Sequence, residues 1–306
     1  MTIAYIARRL GHAAIIILLA AVVTFLLLRL APGDPARLIL GDKASAEQVA
    51  QLREKLGLDL PILEQLWSYI VGLLQGNLGQ SVFTQQPVAA SIGQALPNTL
   101  LLVSLAVILA VVVGLPIGLY GGLRGGFGDV VGQGLALIGQ SVPSFWFGMI
   151  LISVVAVGWD LLPTSGAGGP EHLVLPTIAL ALFLIGLVIR VTRSSVRDVD
   201  REDYLRTARS KGLPGLVIVR SHILKNASIP IITVVALYGA GLVGGAVVVE
   251  VVFAWPGIGQ LAVNAIAIRD YPVVQGVVLV SAVVFVVVNL VVDLLYLALD
   301  PRTKYE

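Results

Sequence analysis

Residues 99–120 read TLLLVSLAVILAVVVGLPIGLY, without a single charged side chain. A helix rises about 1.5 Å per residue, so roughly 20 apolar residues cross about 30 Å of hydrocarbon. This stretch meets that requirement in one piece. Working outward from it, five further runs have the same character, near Leu10–Leu30, Val131–Val157, Val174–Val191, Ile229–Phe253 and Val273–Leu299. Pro143 interrupts the third. The sequence therefore predicts an all-α, polytopic membrane protein with six transmembrane helices.

Composition agrees with that reading. Of 306 residues, 57% are hydrophobic and 12% charged, against roughly 25% charged in an ordinary soluble domain. The missing charge is missing from the apolar runs and not from the segments between them. The net charge of +2 is too small to suggest nucleic acid as a partner. No cysteine is present, which excludes disulfides, thiolate metal sites and a cysteine nucleophile, and leaves the redox compartment unmarked. His12 and His172 lack metal-ligand spacing, and no His-Glu-x-x-His occurs, so neither a metal site nor a catalytic residue is assigned.

Arg8 and Arg9 precede the first run, as in a secretory signal. However, Ala13–Leu28 is broken only by Thr24, longer than a typical cleaved core, and the run is read as an uncleaved anchor. Orientation follows from Lys and Arg in the connecting segments. With the N-terminus inside, the inside segments hold fourteen and the outside segments five. Both termini are expected in the cytoplasm, with the chain multi-pass in the membrane.

Between the first two runs lies a segment that reads as folded. Ser45 and Gln48 can form a capping box, and Val49, Leu52 and Leu56 recur at helical spacing before Gly57. A second helix is expected from Pro61, using Leu63, Leu66, Ile70 and Leu73 and stopping at Gly76. The segment suits either a protective lid or a docking surface for an external partner. Gly114, Gly118 and Gly122 share one face of the second run, and Gly241 and Gly245 repeat the spacing in the fifth. Small residues so placed let helix backbones approach closely in lipid, within a subunit or between subunits. Gln140-Ser141-Val142-Pro143-Ser144 combines a helix breaker with polar side chains, and broken helices at membrane depth face protein or a water-filled cavity.

Arg193–Ser228 is far longer than the two to eight residues that join neighbouring helices, and it is densely charged. Asp200 can cap a short helix through about Lys211, Gly212 can end it with a left-handed turn, and Pro214 can open a second helix to about Asn226. Such a rigid knob would project into a cytoplasmic partner; the plainer reading is a positive-inside anchor. The five lysines are preceded by Asp42, Glu54, Ser210, Leu224 and Thr303. None follows the glycine that a phosphate-binding P-loop needs, so the chain has no nucleotide site of that kind.

Glu202-Asp-Tyr-Leu-Arg-Thr-Ala-Arg-Ser-Lys-Gly-Leu213, continuing to His222-Ile-Leu-Lys-Asn-Ala-Ser-Ile-Pro230, resembles the coupling loop of permeases in ATP-binding-cassette (ABC) importers. The general pattern is Glu-Ala-Ala, three residues, Gly, nine residues, Ile-x-Leu-Pro. This chain keeps Gly212 and Leu224, has Arg206-Thr207-Ala208 for Glu-Ala-Ala, His222 for Ile and Lys225 for Pro. Those departures resemble the branch that imports dipeptides, oligopeptides and nickel. Pro32-Gly-Asp-Pro35, Leu96-Pro-Asn-Thr-Leu100, Ser141-Val-Pro-Ser-Phe-Trp146, Phe253-Ala-Trp-Pro-Gly-Ile-Gly259, Arg269-Asp-Tyr-Pro-Val-Val-Gln-Gly276 and Val288-Asn-Leu-Val-Val-Asp-Leu-Leu-Tyr296 resemble it too, so the likeness covers nearly the whole chain.

The resemblance implies the type I importer transmembrane fold and a division into residues 1–30 (first helix), 31–95 (extracytoplasmic segment), 96–299 (core, with the coupling loop at 193–228) and 300–306 (tail). It implies a homologous second permease, two cytoplasmic P-loop ATPases that carry ATP and Mg, and an extracytoplasmic solute-binding protein. This chain itself would bind no cofactor. Asp203, Tyr204, Arg206, Thr207, Ala208, Lys211, Gly212, His222 and Leu224 become the expected ATPase-coupling residues. The expected cargo is di- or oligopeptides, with nickel, glutathione, opines or oligosaccharides as alternatives for the same machine. A stand-alone proton-coupled transporter and an intramembrane enzyme are the rivals from other classes.

Charges within apolar runs are functional candidates because each costs at least about 2.5 kcal/mol to insert. Glu250 lies close to Trp255 and Pro256 and is expected to reach the outer interface. Asn289, Asp293 and Tyr296 share a helix face, and Asp293 is expected to pair with Arg190. With Gln140, Ser141, Pro143 and Ser144, the residues Arg190, Glu250, Asn289 and Asp293 are the candidates for lining the pathway.

Overall fold

A computed structural model describes residues 3–30, 36–37, 44–55 and 57–299, and their side chains except at 3–7, 10, 27–30, 52, 55 and 292–299. Pro32-Gly-Asp-Pro35, Leu56 and the side chains of Leu52, Asp293 and Tyr296 lie outside the described residues. Regular structure among the described residues is helical: α1 (Ile3–Leu30), α2 (Ala46–Lys55), α3 (Ile62–Leu74), α4 (Val88–Leu123), α5 (Gly126–Ser141), α6 (Ser144–Gly158), α7 (Glu171–Asp200), α8 (Asp203–Ser210), α9 (Gly215–Val252), α10 (Ile258–Ala267) and α11 (Tyr271–Leu299).

By length and composition α4, α7, α9 and α11 are each able to cross a membrane, and α5 with α6 forms one further, bent crossing. Helix α1 has 28 residues, about 42 Å at 1.5 Å per residue. The third run is thus not one interrupted helix. Its halves meet at 107°, because Val142 takes extended backbone and Pro143 cannot donate to the turn before it.

The chain divides into two units, residues 1–98 with 257–287 and residues 99–256 with 288–306. In the first, the capping box forms as expected: Gln48 N–H donates to Ser45 Oγ (3.2 Å) and Ser45 N–H to Gln48 Oε1 (3.0 Å). Gly57 (φ 64°) and Gly76 (φ 76°) end α2 and α3 in left-handed backbone. Phe25 of α1 stacks on Tyr69 of α3 at 5.7 Å between ring centroids. The Ser81 hydroxyl donates to Asp270 Oδ2 (2.5 Å), and Val82 N–H donates to Oδ1 (3.3 Å). Asp270 is only 2% exposed.

In the second unit α7 is the central helix, with Leu175–Val196 mostly buried. The glycine stripe of α4 lies directly on it. A Cβ at Gly114, Gly118 or Gly122 would sit 2.9, 2.6 or 2.7 Å from side-chain atoms of Val188, Thr192 or Val196. On the other side, a Cβ at Gly139 of α5 would lie 2.6 Å from the Leu182 carbonyl oxygen, and one at Gly186 of α7 would lie 2.7 Å from the Ala136 carbonyl oxygen. Only glycine permits such helix separations. Gly241 and Gly245 of α9, with the same spacing, meet nothing within 4 Å.

Two expectations need correction. The fourth run does not end near Val191: α7 runs eight residues past Thr192 to Asp200, before the expected short helix (α8), glycine turn and second helix from Gly215. Val196 on α7 and Ile218, Ile223 and Ala227 on α9 are buried together, so each helix keeps an apolar face beyond the expected end of the span. The helix expected to stop near Asn226 therefore continues to Val252, through a π-helical stretch at Ile218–Ile223 and past Pro230.

Candidate functional site

Between α7 and α9 the chain leaves helical geometry only at Arg201–Glu202 and Lys211–Pro214. Helix α8, which lies between, has an apolar stripe one turn wide. Leu205 (0% exposed) and Ala208, three residues apart and so on one face, are both buried, and Leu205 enters a cluster with Val196, Ile218, Ile223, Ala227 and Ile231. Asp203, Tyr204, Arg206, Thr207 and Lys211 remain exposed.

The C-terminal turn is a Schellman motif. Gly212 N–H donates to the Arg209 carbonyl (3.0 Å), and Leu213 N–H donates to the Ala208 carbonyl (3.4 Å). This requires left-handed backbone at Gly212, which has φ 72°. Pro214 then opens α9 by accepting from Val217 and Ile218 N–H (2.9 and 3.1 Å). Asp200 does not cap α8, as the sequence suggests; Glu202 occupies the cap position, and Asp200 forms an ion pair with Arg209. The reason is that α7 continues through Asp200 and turns its carboxylate toward the far end of α8. On the opposite side Asn226 Nδ2 donates to Tyr204 Oη (2.7 Å) and to the His222 carbonyl (2.9 Å), while the Tyr204 and His222 rings lie 6.4 Å apart. Leu224 is half-buried where α-helical geometry resumes in α9. The coupling candidates thus form one contiguous knob: α8 is anchored by Leu205, held laterally from α7 and α9, and stopped by Gly212.

The intramembrane candidates do not gather in the same way. Gln140 turns back on its own helix, donating to the Ala136 carbonyl (3.1 Å). Ser141 and Pro143 are exposed at the bend and Ser144 is half-buried. Arg190 is exposed and Asn289 half-buried; the Asp293 side chain, and with it the expected Arg190 pair, lies outside the described residues. Glu250 corrects its expectation. It is 0% exposed and accepts a hydrogen bond from the Thr99 hydroxyl at 2.5 Å, so it sits inside its unit instead of reaching an interface. The turn that ends α9 beyond it is tight, with Trp255 N–H donating to the Glu250 carbonyl (2.8 Å).

One constellation escaped the sequence. Asp129, in the first turn of α5, is bound by Arg193 and Arg197 of α7. Arg193 Nη2 and Arg197 Nη2 each donate to Oδ2 at 2.8 Å, and Arg193 Nε donates to Oδ1. With its carboxamide oxygen turned inward, Gln133 accepts from Arg193 as well (2.6 Å from Nη2). The only signal for this in the sequence was the i, i+4 spacing of Arg193 and Arg197, which puts both on one helix face. Leu205 and Asn226 likewise lack any chemical signature apart from position.

Two families match this chain. "Binding-protein-dependent transport system inner membrane component" covers residues 114–305, and "Binding-prot-dependent transport system membrane comp, N-term" covers residues 2–105. The glutathione transport system permease protein GsiC of Salmonella choleraesuis (strain SC-B67) is 43% identical over 303 residues, 99% of either chain. The protein of that name from Escherichia coli (strain K12) is 40% identical over the same length, again 99% of either chain. Two inward-facing structures of the MetNI methionine ABC transporter share the fold at 18% identity. Their TM-scores are 0.53 and 0.58, covering 68% and 69% of this chain and 96% of those chains. The chain belongs to the binding-protein-dependent transport system inner-membrane components and is a permease component of a type I ABC importer.

Proposed function

We propose that this chain forms half of a translocation pathway for short peptides, working by alternating access. The observation that carries the reading is the α7–α8–α9 knob, which presents a charged, exposed helix face on a buried hydrophobic anchor. That is the form a docking element needs if it is to transmit force without bending. The chain's lysines lack P-loop context, so two partner ATPases, holding ATP and Mg, would supply the energy by closing on each other and rocking two permeases between inward-open and outward-open states. The partners proposed are a homologous second permease, those ATPases and an extracytoplasmic solute-binding protein. Fourteen Lys and Arg against five support cytoplasmic termini, with residues 31–95 on the outer side.

Cargo follows the relatives. GsiC is named for glutathione, a tripeptide, which stands among the alternatives to di- and oligopeptides expected for the same machine. Glutathione is therefore the first solute to test, with dipeptides, longer peptides and nickel beside it. The experiment is a mild-detergent pull-down from the native membrane, followed by reconstitution and ATP-dependent uptake of each solute. Recovery of a second permease and P-loop ATPases, with uptake of a peptide, supports the reading. Uptake by this chain alone without ATP would overturn it in favour of a secondary transporter, and uptake of nickel alone would overturn the cargo.

A further inference from the structure

The Asp129 carboxylate lies outside the coupling knob, yet it is linked to it through α7, which carries both its arginine partners and Asp200. Its side chain is 10% exposed and carries donors from two arginines one helical turn apart. Arg197 Nη2 also donates to the Gly121 carbonyl at the end of α4 (3.3 Å). Gly121 is what admits the carboxylate, since a Cβ there would lie 2.8 Å from Asp129 Oδ1. Glycines at 125 and 126, with φ 64° and 72°, fold the α4–α5 turn tightly beside the guanidinium of Arg197. Thus α4, the first turn of α5 and α7 are held at one point. Three residues beyond Arg197, Asp200 engages Arg209 of α8. In the other direction α5 runs from Asp129 to the 107° bend after Ser141, about 18 Å of helix.

We propose that Asp129 is a positioning residue that makes the broken span move with the coupling helix. Displacement of α8 enters α7 through Asp200 and the Leu205 cluster. The Asp129–Arg193–Arg197 clamp passes it to α5, and α5 delivers it to the bend at Val142–Pro143. Without the clamp, α5 and α7 are held at this end by apolar contacts and the single neutral acceptor of Gln133, which resist sliding less. A charge-assisted, bidentate contact to a nearly buried carboxylate resists it more. The inference rests on the ATP-driven reading above, because it assigns the clamp a part in that cycle.

The test uses the whole reconstituted complex carrying Asp129→Asn or Gly121→Ala. The second variant leaves every charge in place and displaces the carboxylate by steric contact alone. Two quantities are read: ATP hydrolysed per solute imported, and the nucleotide-dependent distance between spin labels at cysteines introduced at Ile138 and Met149. Both positions are about half exposed, on either side of the bend, and the chain contributes no native cysteine. Coupling free energies between sites commonly correspond to factors of about 5 to 150. Both variants should raise the ATP consumed per solute about tenfold, keep ATP hydrolysis near the parent's rate, and lose the distance change. Stoichiometry within twofold of the parent, with the distance change intact, overturns the proposal. So does a proportional fall of hydrolysis, uptake and assembly, which is the mark of a purely structural clamp. A parent complex that shows no ATP-driven uptake overturns the functional reading first, and this proposal with it.

Discussion

Gly118→Ala is the sharpest test of how this protein is packed. The new methyl carbon would lie 2.6 Å from Thr192 Cβ and 2.7 Å from the Ile189 carbonyl oxygen. Non-bonded carbons settle near 3.5–4.0 Å, so about 0.9 Å of separation must open at this point. Neither obstacle can swing aside, because one is a β-carbon and the other is backbone. Helices α4 and α7 must therefore part as bodies, which also loosens the contacts of Gly114 with Val188 and of Gly122 with Val196. Overpacking a well-filled interior costs about 1–3 kcal/mol; three contacts sharing one helix separation put Gly118→Ala in the upper part of that range, about 2–3 kcal/mol. Gly241→Ala is the internal control. It has the same spacing partner, at Gly245, yet nothing lies within 4 Å, and its change should stay within about 0.5 kcal/mol. The assay is reversible unfolding of the chain in mixed micelles, followed by circular dichroism. Equal losses for the two variants, or parental stability for Gly118→Ala, would refute the reasoning.

Gly212→Val forces a β-branched residue into left-handed backbone, at a cost of roughly 1–2 kcal/mol. It should reduce co-purifying ATPase and uptake several-fold, whereas Gly212→Asn, which tolerates that backbone, should keep most of both; indifference to valine would remove the turn from the docking element. Ser81→Ala strips a donor from the buried Asp270 carboxylate and should destabilise by about 1–3 kcal/mol. In a double-mutant cycle with Asp270→Ala the two losses should be strongly non-additive, and additivity would count against the bond. Thr99→Val is nearly isosteric but removes the hydroxyl bonded to Glu250. A loss of about 1–3 kcal/mol is expected, with Thr99→Ser close to the parent, and a serine variant as unstable as the valine one would show that the methyl, not the hydroxyl, matters.

Much of the helix punctuation, in the coupling knob and outside it, is legible in the order of the residues, and for a definite reason. A capping box at Ser45 and Gln48, left-handed turns at Gly57, Gly76 and Gly212, and a helix opening at Pro214 all depend on atoms within about five residues of one another. The same local logic misleads at Asp200. Its capping propensity is real, but the apolar face ending in Val196 keeps α7 helical through that position, and packing outweighs a cap. The bend at Pro143 is likewise foreseeable in place and not in angle.

The sequence alone determined that the chain is helical, which segments are long and apolar enough to cross a membrane, where the short helix α8 ends, and, through motifs in their order, the family. These are properties of composition and of spacing along one helix. Tertiary structure decided which helix faces meet. It put Gly114, Gly118 and Gly122 against α7 and left Gly241 and Gly245 open, although the two stripes look alike on paper. It also drew together Asp129 with Arg193 and Arg197, Thr99 with Glu250 and Ser81 with Asp270, partners 64 to 189 residues apart. A helical period fixes which side chains share a face but leaves open the rotation of each helix about its axis and the choice of neighbour. Those two freedoms are settled only when the packed interior admits one arrangement.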